Sequence, residues 1–144
     1  MAIKQISVFL ENKPGALQNM CQVLADNNID MRALSLAETK DFGIARVIVD
    51  DVLETATVLK DSGFISRLTP VIAVCIPDEP GGLNKVLEIF TKSNTNLEYM
   101  YAFLGSEKNH AYMIFRVGDN EKAAEAALVS AGIRTISQEE ISEI

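Results

Sequence analysis

Two short segments carry the residue types best suited to holding a small charged molecule: Asn12-Lys13-Pro14-Gly15 and Asp78-Glu79-Pro80-Gly81. Each joins an alternating apolar run to an amphipathic stretch, so each reads as a strand-to-helix turn. Proline suits the start of a helix, and the glycine after it removes a side chain where a ligand could lie against backbone N–H groups. The unpaired amides of a helix start, with the positive end of its dipole, favour a carboxylate. Asn12 offers both a donor and an acceptor, whereas ionised Asp78 only accepts and suits an ammonium group. These are the parts needed to grip a free amino acid. An ordinary Asx turn leading into a capped helix uses the same residues, so the pattern gains its weight from occurring twice.

The other chemistry-bearing residues read as structural. Cys21 falls on an apolar helix stripe and Cys75 within the run Val71 to Ile76, so both are core thiols, and no CxxC or His-rich spacing writes a metal site. His110, the single histidine, stands in a polar turn with Ser106, Glu107, Lys108 and Asn109 and makes no triad. The adjacent carboxylates Asp50-Asp51 and Glu139-Glu140 are explained by capping and solvation. No Walker or Rossmann glycine pattern is present. The expectation is therefore no catalytic residue, no metal and no cofactor.

The 144 residues, 48% hydrophobic and 23% charged, are enough for a well-packed core and too apolar for a disordered chain. A net charge of -7 argues against nucleic-acid phosphates and anionic membranes as partners. Tyr99, Tyr101 and Phe115 invite comparison with base-stacking sheet domains, but the Lys/Arg-Gly-aromatic signature is missing around Ala45–Val49 and Tyr112–Arg116. No apolar run approaches the roughly 18 residues of a membrane span, no leader pattern opens the sequence, and cysteine usage is that of a cytoplasmic protein.

The elements that must position the two turns come in two copies. Sliding the sequence against itself pairs Ile6 with Ile72, Val8 with Val74, Pro14 with Pro80, Gly15 with Gly81, Leu17 with Leu83 and Asn28 with Asn94. In the first copy Ile6, Val8 and Leu10 alternate as a strand. Pro14 at a helix start then precedes Leu17, Met20, Cys21 and Leu24, the stripe of an amphipathic helix, and Leu83, Val86, Leu87 and Phe90 draw it again. A strand from Asp30 to Glu38 and a β-branched run from Ile44 to Val49 form a hairpin. Asp51 caps a second helix bearing Val52, Ala56 and Leu59, Gly63 ends it, and Asp119 to Gly132 repeats the arrangement. Each half is β-α-β-β-α-β. The expected fold is α+β, two tandem ferredoxin-like units over residues 1–69 and 70–144, with antiparallel sheets and helices on one face. In the second copy Leu97, Tyr99, Tyr101 and Phe103 are expected on one face of a strand and Met100, Ala102 and Leu104 on the other, so an apolar sheet face calls for a cover, either a homodimer partner or a sheet-on-sheet contact.

With these residues in view, the sequence resembles the ACT domain family along nearly its whole length. The resemblance rests on Asn12-Lys13-Pro14-Gly15-Ala16-Leu17, on Asp78-Glu79-Pro80-Gly81-Gly82-Leu83, and on Asn28-Ile29-Asp30-Met31 after the first helix. It differs from many amino-acid-binding members in having Leu10 and Ile76 where they carry a histidine. The resemblance implies a non-catalytic regulatory or sensor protein that holds a small ligand, such as a free amino acid, at the interface between its two repeats, acting as the homodimer that the apolar sheet face calls for; the alternative is a regulatory subunit that associates with a separate amino-acid biosynthetic enzyme as its partner. It also implies ligand residues. Asn12, Pro14, Gly15, Ala16 and Leu17 would face Asn96, Leu97, Glu98 and Met100, while Asp78, Pro80, Gly81, Gly82 and Leu83 would face Met31, Ala33 and Leu34.

Overall fold

A computed structural model describes residues 3–39, 41–103 and 105–144 of the chain. It forms two compact units, Lys4–Thr69 and a second made of Ile3 with Pro70–Ile144.

The first unit runs β1 (Ile3–Glu11), α1 (Ala16–Asp26), β2 (Met31–Glu38), β3 (Phe42–Val49) and α2 (Val52–Asp61), and ends in the first residues of β4 (Ile65–Pro77). Its strand order is β2-β3-β1-β4, with β3 antiparallel to both its neighbours. The register sets Ile6 opposite Val47 and Val8 opposite Ala45, so the alternation of β1 delivers one apolar row to one face. There Ile6, Val8, Leu10, Ala45, Val47 and Val49 bury Met20 and Leu24 of α1 and Leu59 of α2. Burial of this kind contributes about 25 cal/mol per Å2 of apolar surface, and it holds the α1 start over the end of β1.

The second unit repeats the order with β4, α3 (Gly82–Lys92), β5 (Tyr99–Phe103), β6 (His110–Arg116), α4 (Glu121–Ser130) and β7 (Arg134–Ile136), followed by the short α5 (Gln138–Ile141). Here β4 pairs antiparallel with β6 on one side and β7 on the other, and β5 closes the far edge against β6. Ile72, Val74, Ile76 and Phe115 form the core with Val86 and Phe90 of α3 and Ala124 and Leu128 of α4. Phe90 meets Phe115 edge to face, centroids 5.2 Å apart. Each unit is therefore an α+β βαββαβ fold with both long helices on one face of an antiparallel sheet. Residues 68–70, where the two repeats meet, lie inside β4.

Several local expectations need correction. Pro14 and Pro80 do not open their helices. Gly15 and Gly81 take the N-cap position in the left-handed region, at φ 86° and 87°, and the helices begin one residue later. Asp51 caps α2 by accepting from the Glu54 amide at 3.0 Å, but its counterpart Asp119 lies in a 3-10 turn, Gly118–Asn120, that intervenes before α4, whose N-cap Asn120 makes no side-chain cap. Leu97 does not share a face with Tyr99, because β5 starts only at Tyr99; Leu97 packs beside Met100 against the helix-side core. Leu104 lies outside the described residues. Buried Thr55, whose Oγ1 donates to the Asp51 carbonyl at 2.8 Å, takes the inward place on α2 that Ala56 was expected to hold.

A polar chain is buried in the first unit. Gln5 donates to Ser7 Oγ at 3.0 Å, and Ser7 Oγ shares a hydrogen bond with Thr69 Oγ1 at 3.0 Å. These residues alternate with the apolar row of β1 and so lie on the other face of the strand.

Candidate functional site

The two strand-to-helix turns are built alike. In the first, the Lys13 amide donates to the Glu11 carbonyl at 3.0 Å, Ala16 to the Lys13 carbonyl at 3.3 Å, and Asn19 to the Gly15 carbonyl at 2.9 Å. In the second, Glu79 donates to Pro77 at 3.0 Å, Gly82 to Glu79 at 3.1 Å, and Lys85 to Gly81 at 3.1 Å. The left-handed glycine swings the chain from strand direction into helix direction within one residue. Neither helix receives a side-chain cap, so among the described residues the first-turn amides of Leu17 and Gln18, and of Leu83 and Asn84, have no acceptor. The side chains of Asn12 and Asp78 are exposed and engage no described residue. The Asx-turn reading of Asn12 and Asp78 is thus not realised by their side chains.

A cavity of about 290 Å3 opens beside the first turn, lined by Leu10, Glu11, Asn12, Lys13, Ala16, Leu17, Leu36, Glu38 and Gly43. All of these belong to the first unit. Gly43 is buried opposite Leu10, beside the Leu36 side chain. One wall is apolar, from Leu10, Ala16, Leu17 and Leu36. The rim is charged: Lys13 Nζ pairs with Glu11 at 2.9 Å in the open, and Glu38 ends β2. A second cavity of about 380 Å3 shares Lys13 and Ala16 and is bounded by Phe9, Phe42, Phe64 and Ile65. Such an arrangement can take a small zwitterion, its carboxylate toward the helix amides and its ammonium toward a rim carboxylate.

The remaining expected residues fall as follows. Pro14 and Gly15 are exposed in the turn, and Ala16 and Leu17 half-buried in the first turn of α1. Leu36 and Glu38, which the sequence reading did not single out, line the cavity from β2, further along than Met31, Ala33 and Leu34. Met31 packs on the first unit's core, Ala33 is buried, and Leu34 is 39% exposed. In the second unit, Pro80 and Gly81 are exposed and Leu83 half-buried. Gly82 is buried with the Pro77 carbonyl oxygen only 2.7 Å from where a Cβ would sit. Asn96 is exposed. Glu98 is engaged locally: its amide donates to Arg116 at 2.8 Å and its carboxylate pairs with the Arg116 guanidinium at 3.7 Å. Met100 lies opposite Phe115 and packs on the core.

One grouping was not expected at all. Register places both Tyr112 of β6 and Arg134 of β7 opposite Cys75 of β4. Over them comes Glu107, from the turn between β5 and β6, whose Oε2 accepts from Arg134 at 2.9 Å, Tyr112 at 3.4 Å and the Cys75 thiol at 3.5 Å. Burial pushes the Cys75 thiol up from its ordinary pKa, and burial does the same to the Tyr112 phenol. The hydrogen bond from Cys75, helped by nearby His110 and Arg134, holds the Glu107 carboxyl below its usual range. His110 is not an isolated turn residue either: it opens β6 opposite Pro77. The signal that could have found the group is the hairpin register, which requires the turn length that only the folded chain displays.

The chain as a whole is similar to known proteins. A family model described as an ACT domain pair matches residues 1–144. The structure is similar to that of protein BT0572 from Bacteroides thetaiotaomicron, with 35% identity and a TM-score of 0.91 over 100% of this chain and 98% of that one. It is also similar in fold to the regulatory subunit of aspartate kinase from Thermus thermophilus, 18% identical with a TM-score of 0.65 over 89% of this chain and 91% of that one. A regulatory subunit of aspartate kinase from Thermus flavus matches at 18% identity and a TM-score of 0.61, over 90% of this chain and 92% of that one. No curated protein matches.

Proposed function

Since the chain belongs to the ACT domain family, as an ACT domain pair over its whole length, we propose that it is a non-catalytic regulatory protein of the cytoplasm that senses a free amino acid at its strand-to-helix turns. The observation that carries this reading is the cavity of about 290 Å3 at the first turn, where acceptor-free helix amides, a charged rim and an aliphatic wall meet. The amides of Leu17 and Gln18 take the ligand carboxylate, Glu38 its ammonium, and Leu10, Leu17 and Leu36 a short aliphatic side chain. Asn12 adds a donor and an acceptor to the rim. At the second turn, Asp78 replaces Asn12 and supplies an ammonium acceptor directly, beside the acceptor-free amides of Leu83 and Asn84. The chain works as a homodimer in this proposal, because the edge strand β2 leaves Leu34 and Leu36 39% and 53% exposed.

Isothermal titration against the twenty amino acids tests the reading. A small aliphatic amino acid binds, and Glu38→Gln, a surface change, weakens it at least tenfold, or about 1.4 kcal/mol. No heat from any of the twenty with folded protein removes the proposal. A second reading follows from the likeness to aspartate kinase regulatory subunits: the chain is a subunit that docks on a separate biosynthetic enzyme. Purification from native lysate distinguishes the two, since a subunit brings its enzyme along stoichiometrically and a stand-alone sensor does not.

A further inference from the structure

Independently of the amino-acid site, the second unit gathers its one buried thiol, a carboxylate and the chain's single imidazole. Cys75 Sγ, a carboxylate oxygen of Glu107 and a ring nitrogen of His110 lie within 4.8 Å of one another. These are three ligand types that borderline divalent cations favour together, and three protein ligands leave a fourth tetrahedral position for water.

The surroundings are arranged as such a site requires. His110 Nδ1 lies 2.9 Å from the Lys108 carbonyl, which can only accept, so Nδ1 carries the proton and Nε2 keeps its lone pair for an ion. Glu107 spends Oε2 on Arg134, Tyr112 and Cys75, leaving Oε1 without a partner among the described residues. Arg134 Nη1 also donates toward Cys75 Sγ at 3.9 Å. The turn that carries Glu107 is seated on the Tyr112 ring, because any side chain at Gly105 would run into that ring. Cys75 is only 5% exposed, but Glu107 and His110 are open to solvent, so an ion reaches the thiol from their side.

We propose that Cys75, Glu107 and His110 form a binding site for a zinc-like divalent cation. On binding, the Cys75 S–H bond breaks, its proton leaves to solvent, and the sulfur lone pair forms the bond to the ion. Glu107 Oε1 and His110 Nε2 complete the protein ligands, with no change of oxidation state. Arg134 and Tyr112 remain on Glu107 Oε2 and hold the carboxylate in place.

Cobalt(II) titrated into the reduced, chelator-treated full chain reads this directly. The expected result is a thiolate-to-cobalt charge-transfer band that saturates at one ion per chain and is bleached by zinc. Cys75→Ser abolishes the band and Cys21→Ala keeps it. His110→Ala, an exposed change that cannot unfold the core, weakens cobalt binding at least tenfold. Absence of the band in the unaltered chain, its survival in Cys75→Ser, or unchanged affinity in His110→Ala each overturns the proposal.

Discussion

At the residue scale the structure is governed by a few positions where the backbone leaves ordinary L-residue territory. Gly15 and Gly81 have open space around a would-be Cβ, yet their φ values of 86° and 87° make any side chain strained. A bulky replacement there would therefore confound ligand exclusion with backbone strain. Gly82 is the reverse: its conformation is helical, but the Pro77 carbonyl blocks it, whereas the equivalent Ala16 keeps its methyl. We expect Gly15→Ala to cost roughly 1–2 kcal/mol of stability, and Gly82→Ala to cost about 1–3 kcal/mol through overpacking. Ala16→Gly should lose only about 0.5–1 kcal/mol through helix propensity. Urea denaturation orders the three, and a Gly82→Ala protein as stable as the original would refute the close approach. Asn28 and Asn94 belong here too, at φ 56° and 54° just past α1 and α3. Their recurrence in the sequence was legible, and its cause is the left-handed residue at the helix end that asparagine tolerates. Which of Pro14, Gly15 and Ala16 begins the helix was not legible, because a proline at a helix start and a proline before a left-handed glycine are the same letters.

At the scale of elements, periodicity identified the strands and helices because burial on one face imposes it. The stripe Leu17, Met20, Cys21 and Leu24 and its copy in α3 pack as their spacing requires. What failed was equivalence between copies. Asp51 and Asp119 align in sequence, yet the 3-10 turn before α4 removes Asp119 from the capping position. Asp51→Ala should therefore cost about 1 kcal/mol, while Asp119→Ala changes thermal stability negligibly; equal losses would contradict the difference in capping. The cavity residues Leu36 and Glu38 escaped notice for a related reason. A strand's alternation shows which side chains share a face, but not which end of the strand a turn will overhang. Cys75, Glu107, Tyr112 and Arg134 converge from three strands and a turn, a juxtaposition set by register alone.

At the scale of the whole molecule, the duplicated βαββαβ order was readable from the repeat, since two copies of one pattern constrain each other. Among the described residues no helix is long and apolar enough to cross a membrane. The segment where the copies join is strand, with Arg67 inside β4, whereas Lys108 stands exposed in the turn between β5 and β6. Limited trypsin digestion of the native chain should cut after Lys108 before it cuts after Arg67, because proteases need a segment that can leave its hydrogen bonds. Early fragments split at Arg67 would show that this strand is open.

The continuity of β4 carries one more consequence. Thr69 is tied to Ser7 on one face of its strand, and Ile72, Val74 and Ile76 face the second unit's helices from alternate positions. Because side chains on a strand obey a parity rule, an insertion of a single residue between Thr69 and Ile72 would bring the smaller row Val71, Ala73 and Cys75 to the helix side in place of Ile72, Val74 and Ile76, while an insertion of two would restore the phase. The length of the junction is therefore quantised: during divergence it can change in pairs of residues, and odd steps are forbidden unless a bulge absorbs them.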